Sequence, residues 1–186
     1  MERCAWVNLN EPINVDYHDN EWGVPVYDDQ RLFEMICLEG AQAGLSWLTI
    51  LKRREGYRAA FDQFDAHKIV QYDDAKLQTL KEDERIIRNR LKIASVQTNA
   101  ESFLKIQQQY GTFSHYIWSF VDGKPIINNW KTMQEVPITT EISDRMSKQL
   151  KKDGFKFVGS TICYSFMQAV GMVNDHTLNC HCRQKQ

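Results

Sequence analysis

The chain has 186 residues, of which 42% are apolar and 25% are charged, values that are typical of a globular protein and exclude disordered and collagen-like classes. A chain of this length buries roughly two thirds of its unfolded surface and needs no disulfide framework, so we expect one domain over residues 1–186. No segment approaches the roughly 18 apolar residues of a membrane span, so we expect no membrane partner. The formal net charge is only −1, but the charges are unevenly distributed, because residues 1–39 hold nine acids and only two arginines. The bases cluster farther along the chain. These clusters indicate either a polyanionic binding partner or helix faces that are exposed to solvent.

The apolar residues recur mostly at steps of three and four, which is the period of a buried helix face. This pattern predicts helices, in chain order, over residues 29–38, 46–61, 74–80, 86–109, 114–121, 143–152 and 160–170. Asp73 is a predicted N-cap, and Gly111 and Gly154 are predicted stops because glycine tolerates the left-handed conformation that ends helices. Only residues 125–129 have an extended pattern. The sequence therefore predicts an all-α fold.

Two cysteines and two histidines stand near the two ends of the chain. They are Cys4 and His18 near the start, and His176 and Cys180 near the finish. The His-x-x-x-Cys spacing of the second pair places both side chains on one face of a helical turn, and two thiolates with two imidazoles form a closed tetrahedral zinc site. Cys182 and His181 compete as ligands, and the alternative is that the terminal thiols are ordinary tail cysteines. The odd count of five scattered cysteines fits a reducing compartment in either case.

Glu39 lies within residues 33–48, a stretch in which most side chains are apolar or small. A carboxylate there is either exposed at a helix end or buried for a purpose. Gly40 and Gly44 let another group approach the backbone closely, and Trp47 offers a stacking surface. The stretch is therefore a candidate binding site, and the alternative is that Glu39 is an ordinary surface residue.

Aromatic residues crowd the polar, acidic N-terminal stretch, where no helical stripe explains them as core. They are Trp6, Tyr17, Trp22 and Tyr27. Aromatics in polar loops often line a pocket for a flat ligand. The alternative is a small satellite core under a loop.

Six segments of the sequence resemble the bacterial 3-methyladenine DNA glycosylase I family. They are MERCAW at 1–6, YHDNEWGVP at 17–25, LFEMICLEG at 32–40, QAGLSW at 42–47, IIRNRLKI at 86–93 and FKFVGSTICYSFMQA at 155–169. The resemblance extends from residue 1 to about residue 180. It implies an all-α, helix-hairpin-helix DNA repair glycosylase with a structural zinc, which removes 3-methyladenine from alkylated double-stranded DNA, releases the free base and leaves an abasic site. We expect a monomer in the bacterial cytoplasm, with about residues 181–186 as a loose tail.

The resemblance also assigns roles to particular residues. The zinc ligands are Cys4, His18, His176 and Cys180. The base-binding residues are Tyr17, Glu39 and Trp47, with Trp6, Trp22 and Ser165 as wall residues, and Glu39 is the candidate catalytic residue. Apart from the resemblance, the clustering of bases predicts that Arg88, Arg90 and Lys92 bind DNA phosphates. Gln42 and Leu45 are both candidates to fill the gap left by the flipped base. The family usually has a glycine just before IIRNR, where this chain has Arg85.

Two other classes of protein compete with this interpretation. A zinc-stabilised DNA-binding module that has lost catalysis would be expected to break the pocket, yet Tyr17, Glu39 and Trp47 are all present. A metallohydrolase would need an open coordination position on the zinc, whereas two cysteines with two histidines describe a closed site.

Overall fold

The structure is a computed structural model that describes residues 1–183. Within this range ten α-helices form most of the protein: α1 (Pro12–Asn20), α2 (Asp29–Gln42), α3 (Trp47–Leu51), α4 (Arg54–Ala60), α5 (Ala66–Ile69), α6 (Asp74–Glu82), α7 (Arg90–Tyr110), α8 (Phe113–Trp118), α9 (Glu141–Lys152) and α10 (Ser160–Ala169). Short 3-10 turns lie at Asp62–Phe64, Ser119–Val121 and Met133–Glu135. Two short strands, β1 (Ile126–Ile127) and β2 (Val173–Asn174), pair in parallel. No helix within residues 1–183 is both long and apolar enough to cross a membrane.

Helix α2 is surrounded by other helices. It packs against α3, α7, α8 and α10, and residues 32 to 41 are therefore buried on every side of the helix. Its first turn is capped by Asp28, whose side chain accepts the N–H of Arg31. The Asp29 carboxylate accepts the N–H groups of Phe113 and Ser114 at the start of α8. These contacts fix both the direction of α2 and the position of its last turn, which carries Glu39.

Most of the predicted helices are confirmed, with shifts at their ends. Helix α2 continues four residues beyond the predicted end at residue 38. The long helix expected from residue 86 begins later, at Arg90, because the side chain of Asn89 caps its first turn. Asp73 caps α6 as predicted, and Gly111, at φ 86°, ends α7 in the backbone region that favours glycine.

The single helix expected over residues 46–61 is wrong. The structure has α3 and α4, separated at Lys52 and Arg53. The break directs the Lys52 Nζ to Glu11, at 2.6 Å, and the Arg54 guanidinium to Glu21, at 2.7 Å. These acids precede α2 in the chain, so the break is fixed by tertiary contacts that local periodicity does not contain.

Helix α1 and strand β2 were not predicted. The buried residues of α1 are Asn14, Tyr17 and His18, so the helix has no apolar stripe from which a helical period could be recognised. Strand β1 agrees with the extended pattern at residues 125–129, but its partner β2 lies far along the chain, with Ile126 opposite Val173. The protein is accordingly mostly helical, with a small parallel ladder.

The expectation of a loose tail from residue 181 is wrong for residues 181–183. The N–H of His181 donates to the carbonyl of Glu2, and the side chain of Cys182 is buried. The Arg183 guanidinium donates to the carbonyl of Asn128. The chain is held there because its polar backbone and side-chain groups find partners on the N-terminal segment and on the loop after β1. Residues 184–186 lie outside the described residues.

Candidate functional site

A cavity of about 240 Å³ lies between the N-terminal segment, the last turn of α2, the start of α3 and α10. It is lined by Trp6, Tyr17, Trp22, Glu39, Gln42, Trp47, Met133, Ser165 and Gln168. The structure thus brings together all six side chains that the sequence assigned to base binding, and adds Gln42. Met133 and Gln168 were missed. Gln168 follows Ser165 by three residues on α10, a spacing that shares a helix face and could have identified it, whereas Met133 lies in a loop and has no local signal.

The aromatic walls of the cavity hold one another in place. Trp6 and Trp22 meet edge to face, with ring centroids 5.1 Å apart and ring planes at 69°. The rings of Tyr17 and Trp47 are 5.3 Å apart at 47°. Tilted aromatic pairs of this kind are the preferred geometry, so these rings need little rearrangement to receive a flat ligand. Tyr27 takes no part, because it stacks on Trp118 instead, with centroids 4.6 Å apart.

Glu39 is buried in the cavity wall, so the surface-residue alternative is excluded. The residue is 2% exposed, and its Oε2 atom has no hydrogen-bond partner among the described residues. Burial raises the pKa of its carboxyl to about 8, because the charged form loses its hydration. Burial also raises the pKa of Tyr17 well above its usual value, and the charge of Glu39 adds to that effect. A buried, perturbed carboxyl in a cavity is a candidate functional group.

Two other polar atoms of the wall are also buried without a partner in the described part of the chain. They are the indole Nε1 atoms of Trp6 and Trp47. Buried polar groups in proteins are normally hydrogen-bonded. The wall of the cavity therefore combines aromatic residues with a carboxyl oxygen and two indole N–H groups that lack partners within residues 1–183, a composition that suits a small, flat ligand with a polar edge.

The four predicted zinc ligands converge. Cys4, His18, His176 and Cys180 are all buried, and one ligand atom from each lies within 4.8 Å of the others. The Cys180 Sγ is 3.3 Å from His176 Nδ1 and 3.5 Å from His18 Nε2. The expectation that His176 and Cys180 share a helical turn is wrong, because they lie in a non-helical segment after β2 in which the Cys180 N–H donates to the carbonyl of Thr177. The turn brings the two side chains together in place of a helix.

The second ring nitrogen of each histidine is held outside this Cys/His cluster. His18 Nδ1 lies 2.7 Å from Asp19 Oδ1, and His176 Nε2 lies 3.1 Å from the carbonyl oxygen of Trp22. Metal-bound histidines almost always donate their other N–H to a carboxylate or a carbonyl. Burial lowers the pKa of His176 to about 4, so its imidazole is neutral and able to coordinate. The cluster therefore has the donor set and the outer partners of a tetrahedral metal site.

Cys182 remains close to this cluster but on another side of the His18 ring. Its Sγ is 3.9 Å from His18 Nδ1 and 3.7 Å from Asp19 Oδ1. Cys180, His181 and Cys182 also form a group of possible ligands, as do His18, Asp19 and Cys182. Because the Nδ1 of His18 is occupied by Asp19, Nε2 is the nitrogen left for a metal, and it faces Cys180. The geometry favours the four-residue cluster.

The Cys/His cluster stands directly behind the cavity. Tyr17 lines the cavity, while the adjacent His18 enters the cluster. The ring of Trp22 lines the cavity and packs edge to face on His176, with centroids 4.7 Å apart. Any group that holds the two ends of the chain together at this cluster therefore also supports the cavity wall.

Helices α6 and α7 pack against each other, and the loop between them carries the predicted phosphate contacts. Arg88 is exposed and lies 3.8 Å from Glu84, while Arg90 is exposed at the first position of α7. Arg85, the residue directly before IIRNR, does not have a positive φ. Its guanidinium forms a two-point ion pair with Asp83, at 2.9 and 2.7 Å. The loop therefore tolerates arginine, but that side chain folds back on its own loop.

Lys92, predicted to contact a phosphate, is half-buried and lies against the end of α2. Its Nζ donates to the carbonyl oxygens of Ala41, at 2.9 Å, and Ala43, at 2.6 Å. The other two candidates in this region are placed differently: Gln42 lines the cavity, and Leu45 is 41% exposed in the loop between α2 and α3.

Part of the charge asymmetry of the sequence is neutralised inside the fold. Bases of residues 52–58 pair with acids of residues 1–39: Lys52 with Glu11, Arg54 with Glu21 and Arg58 with Glu34. This basic cluster is therefore structural. The exposed arginines of the α6–α7 loop are better placed to meet an external anion.

The sequence matches a family model described as methyladenine glycosylase over residues 6–184. It is 53% identical over 182 residues to DNA-3-methyladenine glycosylase 1 of Escherichia coli (strain K12), which is 98% of this chain and 97% of that protein. A crystal structure of 3-methyladenine DNA glycosylase I superposes with a TM-score of 0.95 at 51% identity, over 97% of this chain and 99% of that chain. The structure of a tyrosine-to-phenylalanine variant of 3-methyladenine DNA glycosylase I, in complex with 3-methyladenine, superposes with a TM-score of 0.95 at 36% identity, over 98% of each chain.

Proposed function

The chain belongs to the methyladenine glycosylase family, and from this premise we propose that it is a DNA repair N-glycosylase, which flips 3-methyladenine out of alkylated double-stranded DNA and excises it to leave an abasic site. The observation that carries the proposal is the cavity, in which the buried carboxyl of Glu39 is set among aromatic walls and its Oε2 atom has no hydrogen-bond partner within residues 1–183. Such a site suits a flat base with a positive charge and polar edge, once the base has left the duplex.

Recognition of the charge accounts for most of the selectivity. Methylation at N3 makes the adenine cationic and weakens its glycosidic bond, so the enzyme has less of the barrier to remove. The cationic base stacks on Trp47 with a cation–π gain, while Glu39 and Tyr17 satisfy its polar edge. Because the pKa of Glu39 is about 8 in the free protein, its carboxyl is protonated at neutral pH. A bound cationic base stabilises the carboxylate and so favours loss of this proton. Neutral adenine cannot offset that cost, so the lesion is bound in preference. Trp6, Trp22 and Ser165 complete the wall.

One zinc ion per chain is held by the Cys/His cluster and acts structurally. Two thiolates and two imidazoles would complete the coordination of a zinc ion, which would then supply folding energy rather than a bound water. The support for this assignment is the burial of all four residues and the acceptors at the second nitrogens of His18 and His176. In this arrangement zinc joins the two ends of the chain behind Trp22.

The α6–α7 pair acts as the helix-hairpin-helix element that grips the DNA backbone. Arg88 and Arg90 bind phosphates and read no sequence. Of the two candidates to fill the space left by the flipped base, Leu45 is the exposed one and is inserted, as apolar side chains are in proteins that unstack DNA, whereas Gln42 lines the cavity. We expect the protein to act as a monomer, as one domain over residues 1–186, and in the cytoplasm because its substrate is chromosomal DNA.

Incubation of the protein with methylated double-stranded DNA tests the function directly. The wild type should release free 3-methyladenine, and Glu39→Gln should release far less while keeping its fold and its metal. A DNA-binding module without catalysis would bind the DNA and release no base. A hydrolase that uses zinc directly would retain activity in Glu39→Gln, which would contradict the proposal.

A further inference from the structure

The side chain of Lys92 acts between two helices. Lys92 lies in the first turn of α7, and its Nζ donates to two carbonyls at the C-terminal end of α2, those of Ala41 and Ala43. A cation is unfavourable near the N-terminus of its own helix and favourable at the C-terminus of another. The last carbonyls of a helix have no partner within it. Two of the three N–H donors of the Lys92 ammonium are therefore held at the end of α2.

The segment that Lys92 holds borders the cavity. The last turn of α2 carries Glu39 and Gln42, and the loop 43–46 leads directly to Trp47. The other hydrogen bonds that we find for residues 43–46 within the described chain are local and reach no farther than Gly40 on one side and Thr49 on the other. Lys92 therefore supplies the tertiary hydrogen bond that fixes this loop.

The same loop carries an exposed apolar side chain. Leu45 is 41% exposed, and it follows Gly44, whose φ of 77° turns the backbone sharply. Proteins that extrude a base bind the DNA backbone and insert an apolar side chain into the base stack. The backbone-binding residues and the inserted side chain must therefore be held at a fixed separation. Arg90, which we propose to bind the DNA backbone, is two residues from Lys92 on the same helical turn.

We propose that Lys92 is a positioning residue for base extrusion. It fixes the loop 43–46, with Leu45, relative to the phosphate-binding residue Arg90 at the start of α7. The inference rests on the proposed glycosylase function. Without the ammonium, the phosphate-binding residue Arg90 and the loop 43–46 are both still present, but the distance between them is no longer fixed. Extrusion of a stacked base should suffer, while binding of DNA through phosphates should not.

Lys92→Met tests this, because methionine keeps the aliphatic stem and removes the ammonium. The matched control is Arg90→Met, which removes an exposed cation from the same turn. Release of 3-methyladenine by Lys92→Met should fall about tenfold or more in kcat on methylated duplex, but within about threefold on methylated single strands, where the base needs little extrusion. The salt dependence of binding to unmodified duplex should be unchanged in Lys92→Met, whereas Arg90→Met should lower the slope by about 1. Lys92→Arg should restore most duplex activity, because a guanidinium can donate to both carbonyls.

Amide hydrogen exchange provides a readout that is independent of activity. Exchange in residues 43–46 should accelerate in Lys92→Met and not in Arg90→Met. If the wild type released no base from either DNA, the proposed function would fail, and the exchange data would still decide whether Lys92 holds the loop. If Lys92→Met does not fold, Lys92→Gln, which keeps an amide donor, is compared in its place.

Four results would overturn the inference. A lower salt slope in Lys92→Met with unchanged kcat would identify a phosphate contact. Equal losses on duplex and single strands would show that Lys92 only maintains the cavity. Unchanged turnover on duplex, or unchanged exchange in residues 43–46, would show that the loop does not depend on the ammonium.

Discussion

Replacement of Glu39 by glutamine should stabilise the free protein, because the fold keeps this carboxyl neutral. Its pKa is about 8, against an ordinary value of 4.5. At pH 7 unfolding therefore ionises the carboxyl, which favours the unfolded state by about 1.4 kcal/mol for each pH unit above 4.5, or about 3 kcal/mol in all. Glutamine has nearly the same shape and does not ionise. The free energy of unfolding of Glu39→Gln at pH 7 should exceed that of the wild type by an amount of this order.

The raised pKa of Glu39 also determines how the two proteins respond to pH. The folded wild type binds this proton more tightly than the unfolded chain, so the contribution of Glu39 to stability is fully present below pH 4.5, is lost as pH rises towards 8, and is constant above. The difference between variant and wild type should vanish near pH 4.5 and be largest above pH 8. Urea unfolding of both proteins across this range measures it. If the free energies of unfolding of the two proteins ran parallel across this pH range, Glu39 would already be ionised in the folded protein, and the reasoning would be refuted.

Base binding should change in the opposite direction. Glu39→Gln loses the charge that faces the cation, so its affinity for free 3-methyladenine should fall by about 1.5–3 kcal/mol, the range for a charge-assisted hydrogen bond, and excision should fall with it. Because a cationic base must displace the Glu39 proton below pH 8, wild-type kcat/KM should rise with pH up to that value and the variant should lack this rise. Tryptophan fluorescence reports the titration through Trp47. Equal affinity and excision would remove Glu39 from the site and leave Tyr17 and Trp47 alone to support the pocket.

The metal, the DNA surface and the packing of the α6–α7 loop each give a further expected outcome. Cys180→Ala should lose zinc and thermal stability while Cys37→Ala keeps the metal; stoichiometric zinc in the first variant would contradict the ligand set. Arg90→Ala should weaken DNA binding alike for all sequences and lower the slope of log affinity against log salt by about 1; an unchanged slope would mean that Arg90 only faces solvent. Gly56→Ala should destabilise the fold by about 1–3 kcal/mol in thermal unfolding, because a Cβ there would lie 2.6 Å from the carbonyl oxygen of Arg85; an unchanged Tm would show that the α6–α7 loop moves freely away from α4.

Local sequence patterns predicted the helices that have an apolar stripe and failed where other forces decide. Helix α7 was predicted because it buries residues such as Ile93 and Phe103 at helical spacing. Helix α1 buries Asn14, Tyr17 and His18 instead, so its folding depends on the cavity and the Cys/His cluster. The break between α3 and α4 depends on ion pairs with the N-terminal segment, which no local pattern contains.

The candidate site was predictable to the extent that its chemistry is unusual in the sequence. A glutamate in an apolar stretch and paired Cys and His residues at both ends of the chain are conspicuous in composition, and the structure places Glu39 in the cavity and the four ligand candidates together. Lys92 could not be assigned in this way, since a lysine in a basic segment looks like a phosphate contact. Its real partners are two backbone carbonyls of α2, and backbone carbonyls carry no sequence signal.

The position of the Cys/His cluster decides how a metal requirement should be interpreted. Tyr17 and His18 are neighbours on α1, and Trp22 lines the cavity with its ring while its carbonyl accepts from His176. Loss of a metal from the cluster would therefore release the cavity wall together with both ends of the chain. Loss of excision after chelation is thus expected of a purely structural zinc, and does not by itself indicate that the metal activates water. Ligand number is the property that separates the two roles, because two thiolates and two imidazoles leave a tetrahedral zinc no open position. The chemistry then has to come from the cavity itself, whose wall holds two buried ionisable groups, Glu39 and Tyr17.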